Sequence, residues 1–183
     1  MATRESTRYA ALLRGINLGG RRIPMPVLAT MFSDAGCREV RTYIASGNVV
    51  FSATPALAKR IPKIIPVAIA DEYGFDSPVI VRSADELKTI TRHNPFLKRG
   101  IDPSWLHVVF LADTPAGPAV ASLDPDRSPP DEFVVRGGEI YLHLPNGAAR
   151  SKLTNAYFDS KLKTISSGRN WRTVTTLLEM MRA

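Results

Sequence analysis

The chain has 183 residues, 44% of them hydrophobic and 22% charged, an ordinary globular balance that excludes disorder and leaves room for one large domain or two units of roughly 90 residues. No apolar run approaches the ~20 residues of a membrane helix, Met1–Glu5 lacks the apolar core of a signal peptide, and the single Cys37 allows neither an internal disulfide nor a cysteine metal cluster, so a cytoplasmic setting without membrane contact is expected. The net charge of +7 is uneven: residues 1–100 carry 15 Lys/Arg against 8 Asp/Glu, while residues 101–140 hold 2 basic and 7 acidic side chains. A basic surface favours anionic partners, and weak, non-specific, salt-sensitive nucleic-acid binding is expected from charge alone.

In chain order, Tyr9–Leu13 is apolar without alternation, which predicts a strand covered on both faces. Arg14-Gly15-Ile16-Asn17-Leu18-Gly19-Gly20 follows, a glycine-rich loop, and Pro24 and Pro26 introduce a helix that ends at Gly36. Strand, loop and helix N-terminus in that order favour an anion, although the spacing matches neither the dinucleotide nor the P-loop fingerprint. Val40–Ala45 and Asn48–Ala53 predict a hairpin with the two-residue turn Ser46-Gly47. Thr54-Pro55 opens a second helix towards Tyr73, which Pro62 and Pro66 should kink or break. Ser77–Arg82 reads as a strand, and Ser83-Ala84-Asp85-Glu86 as a capping box opening a third helix to His93. Asn94–Pro103 is aperiodic and reads as a linker.

The order then repeats. Trp105–Ala112 reads as a strand and Pro118–Leu123 as a short helix, followed by a Pro/Asp-rich loop over 124–131. Phe133–Arg136 and Glu139–Leu144 form a hairpin around Gly137-Gly138, Ser151–Leu162 a helix, Thr164–Ser166 a short strand, and Asn170–Met181 a final helix. Both halves therefore read β-α-β-β-α-β-α. The expectation is an α+β fold of two ferredoxin-like halves, 1–100 and 101–183, without residue-level identity between them.

The run RGINLGG, then IPM, TYIASGNVVFS, NPF, LPNGAARSKLTNAYF and GRNWRTVTTLLEM, resembles the bacterial domain of unknown function 1697 family over nearly the whole chain. The resemblance implies a compact, soluble α/β protein and no chemistry. Family members carry a lysine before the hydrophobic-x-Met, where Arg21-Arg22 stand here.

The topology gathers polar residues at two edges. In the first half Arg14, Gly15, Asn17, Gly19, Gly20, Ser46, Gly47 and Asn48 should share one end of the sheet. In the second, Arg150, Ser151, Lys152, Asn155, Gly168, Arg169 and Asn170 should share the opposite end, with Ser151 and Asn170 also readable as helix caps. The functional reading is that both edges meet in a cleft between the halves and bind an anionic, phosphate-bearing ligand: a small molecule such as a nucleotide or a sugar phosphate, or a nucleic acid. Arg14, Lys152 and Arg169 would supply charge, and Asn17, Asn48 and Asn170 hydrogen bonds. An enzyme acting on a phosphorylated substrate, with Lys152 or Ser46 in a chemical role, and a structural dimerisation module stand as alternatives. No cofactor, metal site or catalytic residue is assigned: His93, His107 and His143 are scattered, and Ser46 lacks a nucleophile elbow. Alternation places Trp105 and His107 on one strand face and Tyr141 and His143 on another, so these four are expected to form one aromatic patch, buried by sheet packing, opposite apolar faces Leu106-Val108-Phe110 and Ile140-Leu142-Leu144.

Overall fold

The computed structural model describes residues 6–182, so the polar segment Met1–Glu5 lies outside the described residues. The chain divides into two compact units, one running to Lys88 and taking in the chain from Leu177 onward, the other spanning Thr89–Thr176. Each is an α+β unit around one four-stranded antiparallel sheet.

In the first unit β1 (Thr7–Leu13), β2 (Arg38–Tyr43), β3 (Asn48–Ala53) and β4 (Val79–Ser83) lie in the order β2-β3-β1-β4. Tyr9 pairs with Phe51 and Ala11 with Val49, so these side chains share a face. That face forms the core: Ala11, Leu13, Val49 and Phe51 pack with Leu28 and Phe32 of α1 (Met25–Asp34) and with Ile61, Ile65 and Ile69 of α3 (Ile61–Tyr73). The isoleucines recur every four residues and so form one stripe. Ala10, Leu12, Val50 and Ile80 on the other face are buried too, which is why β1 shows no polar alternation.

The helix expected after Thr54 is broken. Thr54 caps α2 (Pro55–Ala58) by accepting from the Leu57 N–H, and the chain then turns at Lys59-Arg60 into α3, whose first turn holds Pro62 where a missing N–H is harmless. Pro66 remains inside α3. The capping box is formed in full: Ser83 N–H donates to Glu86 Oε2 at 2.7 Å and Glu86 N–H to Ser83 Oγ at 3.2 Å, opening α4 (Ala84–Arg92).

Two features of β2 were not anticipated. Its hairpin turn has four residues, 44–47, because Tyr43 already pairs with Asn48, whose buried carboxamide donates to Tyr43 O and Ser46 Oγ. The strand also carries a bulge between Arg38 and Arg41, with Glu39 at φ +49° and its carboxylate accepting from Ser52 Oγ at 2.5 Å. That hydrogen bond, with the Arg8 charge, lowers the Glu39 pKa. Arg8 donates to Met181 O at 3.2 Å and Arg41 to Met180 O, meeting the carbonyls that a helix C-terminus leaves open.

The second unit repeats the strand order. β5 (Leu106–Leu111), β6 (Glu132–Arg136), β7 (Glu139–His143) and β8 (Ser166–Asn170) are arranged β6-β7-β5-β8. Val109, Leu111, Ile140, Leu142 and Leu144 form its core with Tyr157, Phe158 and Leu162 of α6 (Asn155–Leu162), beside the short α5 (Gly117–Ala121). Helix α6 starts later than Ser151. Lys152 N–H donates to Ser128 Oγ and Arg127 Nε to Lys152 O, holding residues 151–153 against the 124–131 loop, so Thr154 becomes the cap by accepting from Tyr157 N–H.

The fourth strand lies further along than expected. Gly168, Arg169 and Asn170 belong to β8, paired with Val109, Val108 and His107, rather than to a loop after it. The last helix, α7 (Trp171–Arg182), follows directly.

Candidate functional site

In the first unit the glycine-rich loop and the hairpin turn do meet at one end of the sheet. Leu13 N–H donates to Gly47 O at 2.8 Å, and Asn17 Nδ2 donates to Ala45 O at 2.5 Å while its Oδ1 accepts from Ile23 N–H at 3.0 Å. Asn17 is thus a clamp, holding the loop to the turn and to the start of the next helix. Gly15, Gly19, Gly20 and Asn17 itself all have positive φ. Gly47 is required by space as well as by conformation: at φ +84°, a Cβ there would stand 2.9 Å from Leu13 Cβ and from two Ile16 side-chain carbons. Two of the loop's amides are engaged within the chain: Asn17 N–H donates to Arg21 O at 2.6 Å and Arg21 N–H to Leu18 O at 3.1 Å. Ser46 Oγ accepts from Asn48, so both close the turn. Arg14 is half-buried, with its backbone bonded to Pro78 and Ser77, and Arg21 lies over the Phe75 ring.

In the second unit the polar residues serve several purposes. Asn155 Oδ1 accepts from Ser166 Oγ, whose main partner is Asp159 at 2.6 Å. Asn170 Oδ1 accepts from Thr173 N–H at 2.8 Å and so caps α7. Lys152 has an exposed side chain. The Arg169 guanidinium donates to Ser167 Oγ at 3.0 Å and Gly168 O at 2.7 Å, and its burial pulls the pKa down to about 10, which leaves it charged at neutral pH.

The four-residue aromatic patch does not form. His107 is paired with Leu142, Val108 with Tyr141, and Leu106 with His143. His107 therefore shares the face of Val109 and Ile140, whereas Tyr141 and His143 share the face of Leu106 and Val108. A one-residue slip in register accounts for the difference, because it exchanges the faces of a strand. Trp105 does stack on His143, with centroids 6.1 Å apart, and is 46% exposed, while Tyr141 is buried and donates to Ile90 O. His143 Nδ1 lies 2.9 Å from Glu132, which Arg99 holds with two bonds of 2.8 and 3.1 Å. Arg99, then His143, keeps the Glu132 carboxyl below its usual range.

The pairing of β5 with β8 sets His107 beside Asn170. Next to this pair lies a groove of about 640 Å³, walled by Pro103, Ser104, His107, Asn170, Trp171 and Arg172. Three elements build it: the turn before β5, the meeting of β5 with the end of β8, and the first turn of α7. No carboxylate lines it. The His107 Nδ1 is buried without a hydrogen bond, and burial lowers the ring's pKa. The Trp105 backbone nearby favours the charged ring without meeting the geometry of a bond to Nδ1. Of the residues proposed from sequence only Asn170 lines this groove; His107, Trp171 and Arg172 were missed as a group, because residue 107 meets residue 170 only through the β5–β8 pairing. A second groove of about 390 Å³ in the first unit is mainly apolar, with Lys59 and Glu86 of opposite charge among its walls.

No cluster of metal-ligating side chains occurs among the described residues, and no helix among them is long and apolar enough to cross a membrane. The structure defines an α+β chain whose two units share one strand order, with a clamped glycine-rich loop in the first and a groove bearing Arg172 in the second. Residues 6–141 match the family described as "Protein of unknown function (DUF1697)", and the chain belongs to that family. Its fold is similar to that of the conserved bacterial protein SP0830 from Streptococcus pneumoniae, at 21% sequence identity and a TM-score of 0.72, with 98% of this chain and 100% of that one covered. No curated protein matches the chain.

Proposed function

We propose that this protein binds an anionic, phosphate-bearing ligand in the groove at the start of α7. The observation that carries the proposal is the groove's lining: Arg172, His107, Asn170 and Ser104 stand around a space of about 640 Å³ with no carboxylate among its walls. Arginine offers a planar fork of donors to phosphate. The N-terminus of α7, a helix of 12 residues, adds a favourable potential for negative charge. Within this reading each unit is a ferredoxin-like βαββαβ module, supported by the strand orders β2-β3-β1-β4 and β6-β7-β5-β8. The net charge of +7 supports a second, weaker partnership with nucleic acid that disappears near physiological salt.

A ligand that binds only the folded state stabilises it by about 2.7 kcal/mol at a hundred times its dissociation constant. The test is a thermal melt in phosphate against chloride at matched ionic strength. Phosphate should raise the melting temperature of the wild type and of Arg14→Ala, and the rise should vanish in Arg172→Ala. An equal rise in Arg172→Ala would remove the groove from consideration.

A further inference from the structure

We infer that the ligand of this groove is a nucleoside monophosphate, an inference that rests on the anion-binding reading above. Two properties of the groove narrow the class. The first is size: about 640 Å³ is several times what a lone phosphate fills, and lies within the ~300–1,000 Å³ typical of sites for whole small organic molecules. The second is that the walls are of two kinds. His107, Asn170, Ser104 and Arg172 provide the polar set, while Pro103 and Trp171 are apolar. A sugar phosphate would satisfy the polar set and leave the apolar walls against hydroxyls, which is unfavourable for groups that otherwise hydrogen-bond to water. A nucleobase offers them a largely apolar surface instead.

The geometry holds these walls in place. Trp171 is 6% exposed, so its indole is fixed in the fold. Asn170, bonded to Thr173 N–H, fixes the turn that presents Trp171 and Arg172 together. Pro103 and Ser104 are held by Asp102, whose carboxylate accepts from Ser104 N–H at 2.8 Å. Arg172 is exposed, leaving its guanidinium able to fork onto a phosphate monoester.

The experiment titrates the full chain with AMP, ribose 5-phosphate, inorganic phosphate and adenosine at matched ionic strength. Two signals are read: the melting temperature, and the emission of Trp171 in a Trp105→Phe background. AMP should bind at least tenfold more tightly than ribose 5-phosphate, change the Trp171 emission, and lose most of its affinity in Arg172→Ala. If AMP and ribose 5-phosphate bind within twofold of each other, the nucleoside assignment is overturned while the anion-binding reading stands. If adenosine binds as tightly as AMP, the phosphate is not recognised and both fail. If none of the four raises the melting temperature or alters emission, the groove is not a phosphate site and both fail together.

Discussion

Replacing Gly47 by alanine tests whether the glycine-rich loop and the hairpin turn form one rigid piece. The new Cβ would stand 2.9 Å from Leu13 Cβ and from Ile16 Cγ1 and Cδ1. Leu13 and Ile16 are 1% and 2% exposed, so neither has open space to move into. Leu13 Cβ is also tied to a backbone whose N–H bonds Gly47 O. Overpacking of this kind costs about 1–3 kcal/mol. The φ of +84° adds the cost of a left-handed conformation for a residue with a Cβ, roughly 1–2 kcal/mol. Together they predict a loss of about 3 kcal/mol, read as a shift of the urea midpoint at unchanged slope. Gly137→Ala is the control: its φ is +57° and nothing lies within 4 Å of its Cβ, so it should cost only the conformational part. If Gly47→Ala destabilises no more than Gly137→Ala, the turn swings away freely and the clamp described here is not rigid.

Asn17→Ala removes the bonds to Ala45 O and from Ile23 N–H and should cost about 1–3 kcal/mol in the same assay, with Asn17→Asp, which keeps the acceptor for Ile23, costing less. Gly117→Ala should instead stabilise by about 0.4–1 kcal/mol, because Gly117 starts α5 without a positive φ and with open space around it. His107 has a folded pKa below its ordinary value of 6.5, so the unfolded chain takes up the proton first and stability should fall as the pH drops below 6.5. Denaturation at pH 7.5 and pH 5.5 should show a smaller fall in His107→Asn than in the wild type, and an equal fall would mean the ring is not desolvated.

Most of the elements were legible from sequence, and the exceptions share a cause. The unbroken apolar run of β1, the Ser83–Glu86 box and the proline-marked break before α3 are local signals, and local chemistry decides them. Strand β8 reads Ser-Ser-Gly-Arg-Asn, a sequence with turn propensity and little side chain to pack, and only its ladder with β5 makes it a strand. The starting point of α6 was hidden for a similar reason, since Ser151 and Thr154 both suit a cap and the Lys152–Ser128 bond between distant segments selects between them. At the candidate sites, Asn17, Asn48 and Asn170 each also serve the chain's own backbone, as short polar side chains in turns commonly do, and a motif does not show which of these uses is made. The groove was out of reach because His107 and Asn170 are neighbours only by register.

The bulge in β2 also bears on what this protein avoids. As an outer strand of its sheet, β2 presents a row of backbone donors and acceptors that a strand of another molecule could copy. Between Arg38 and Arg41 the spacing of that row is interrupted, Glu39 turns back to Ser52, and Arg41 is committed to Met180 O. A straight strand laid alongside would fall out of step within two residues and bring its backbone against charged side chains. Restoring the regular spacing by deleting Glu39 would therefore be expected to turn a well-behaved sheet margin into a nucleus for aggregation, visible as light scattering on refolding at high concentration.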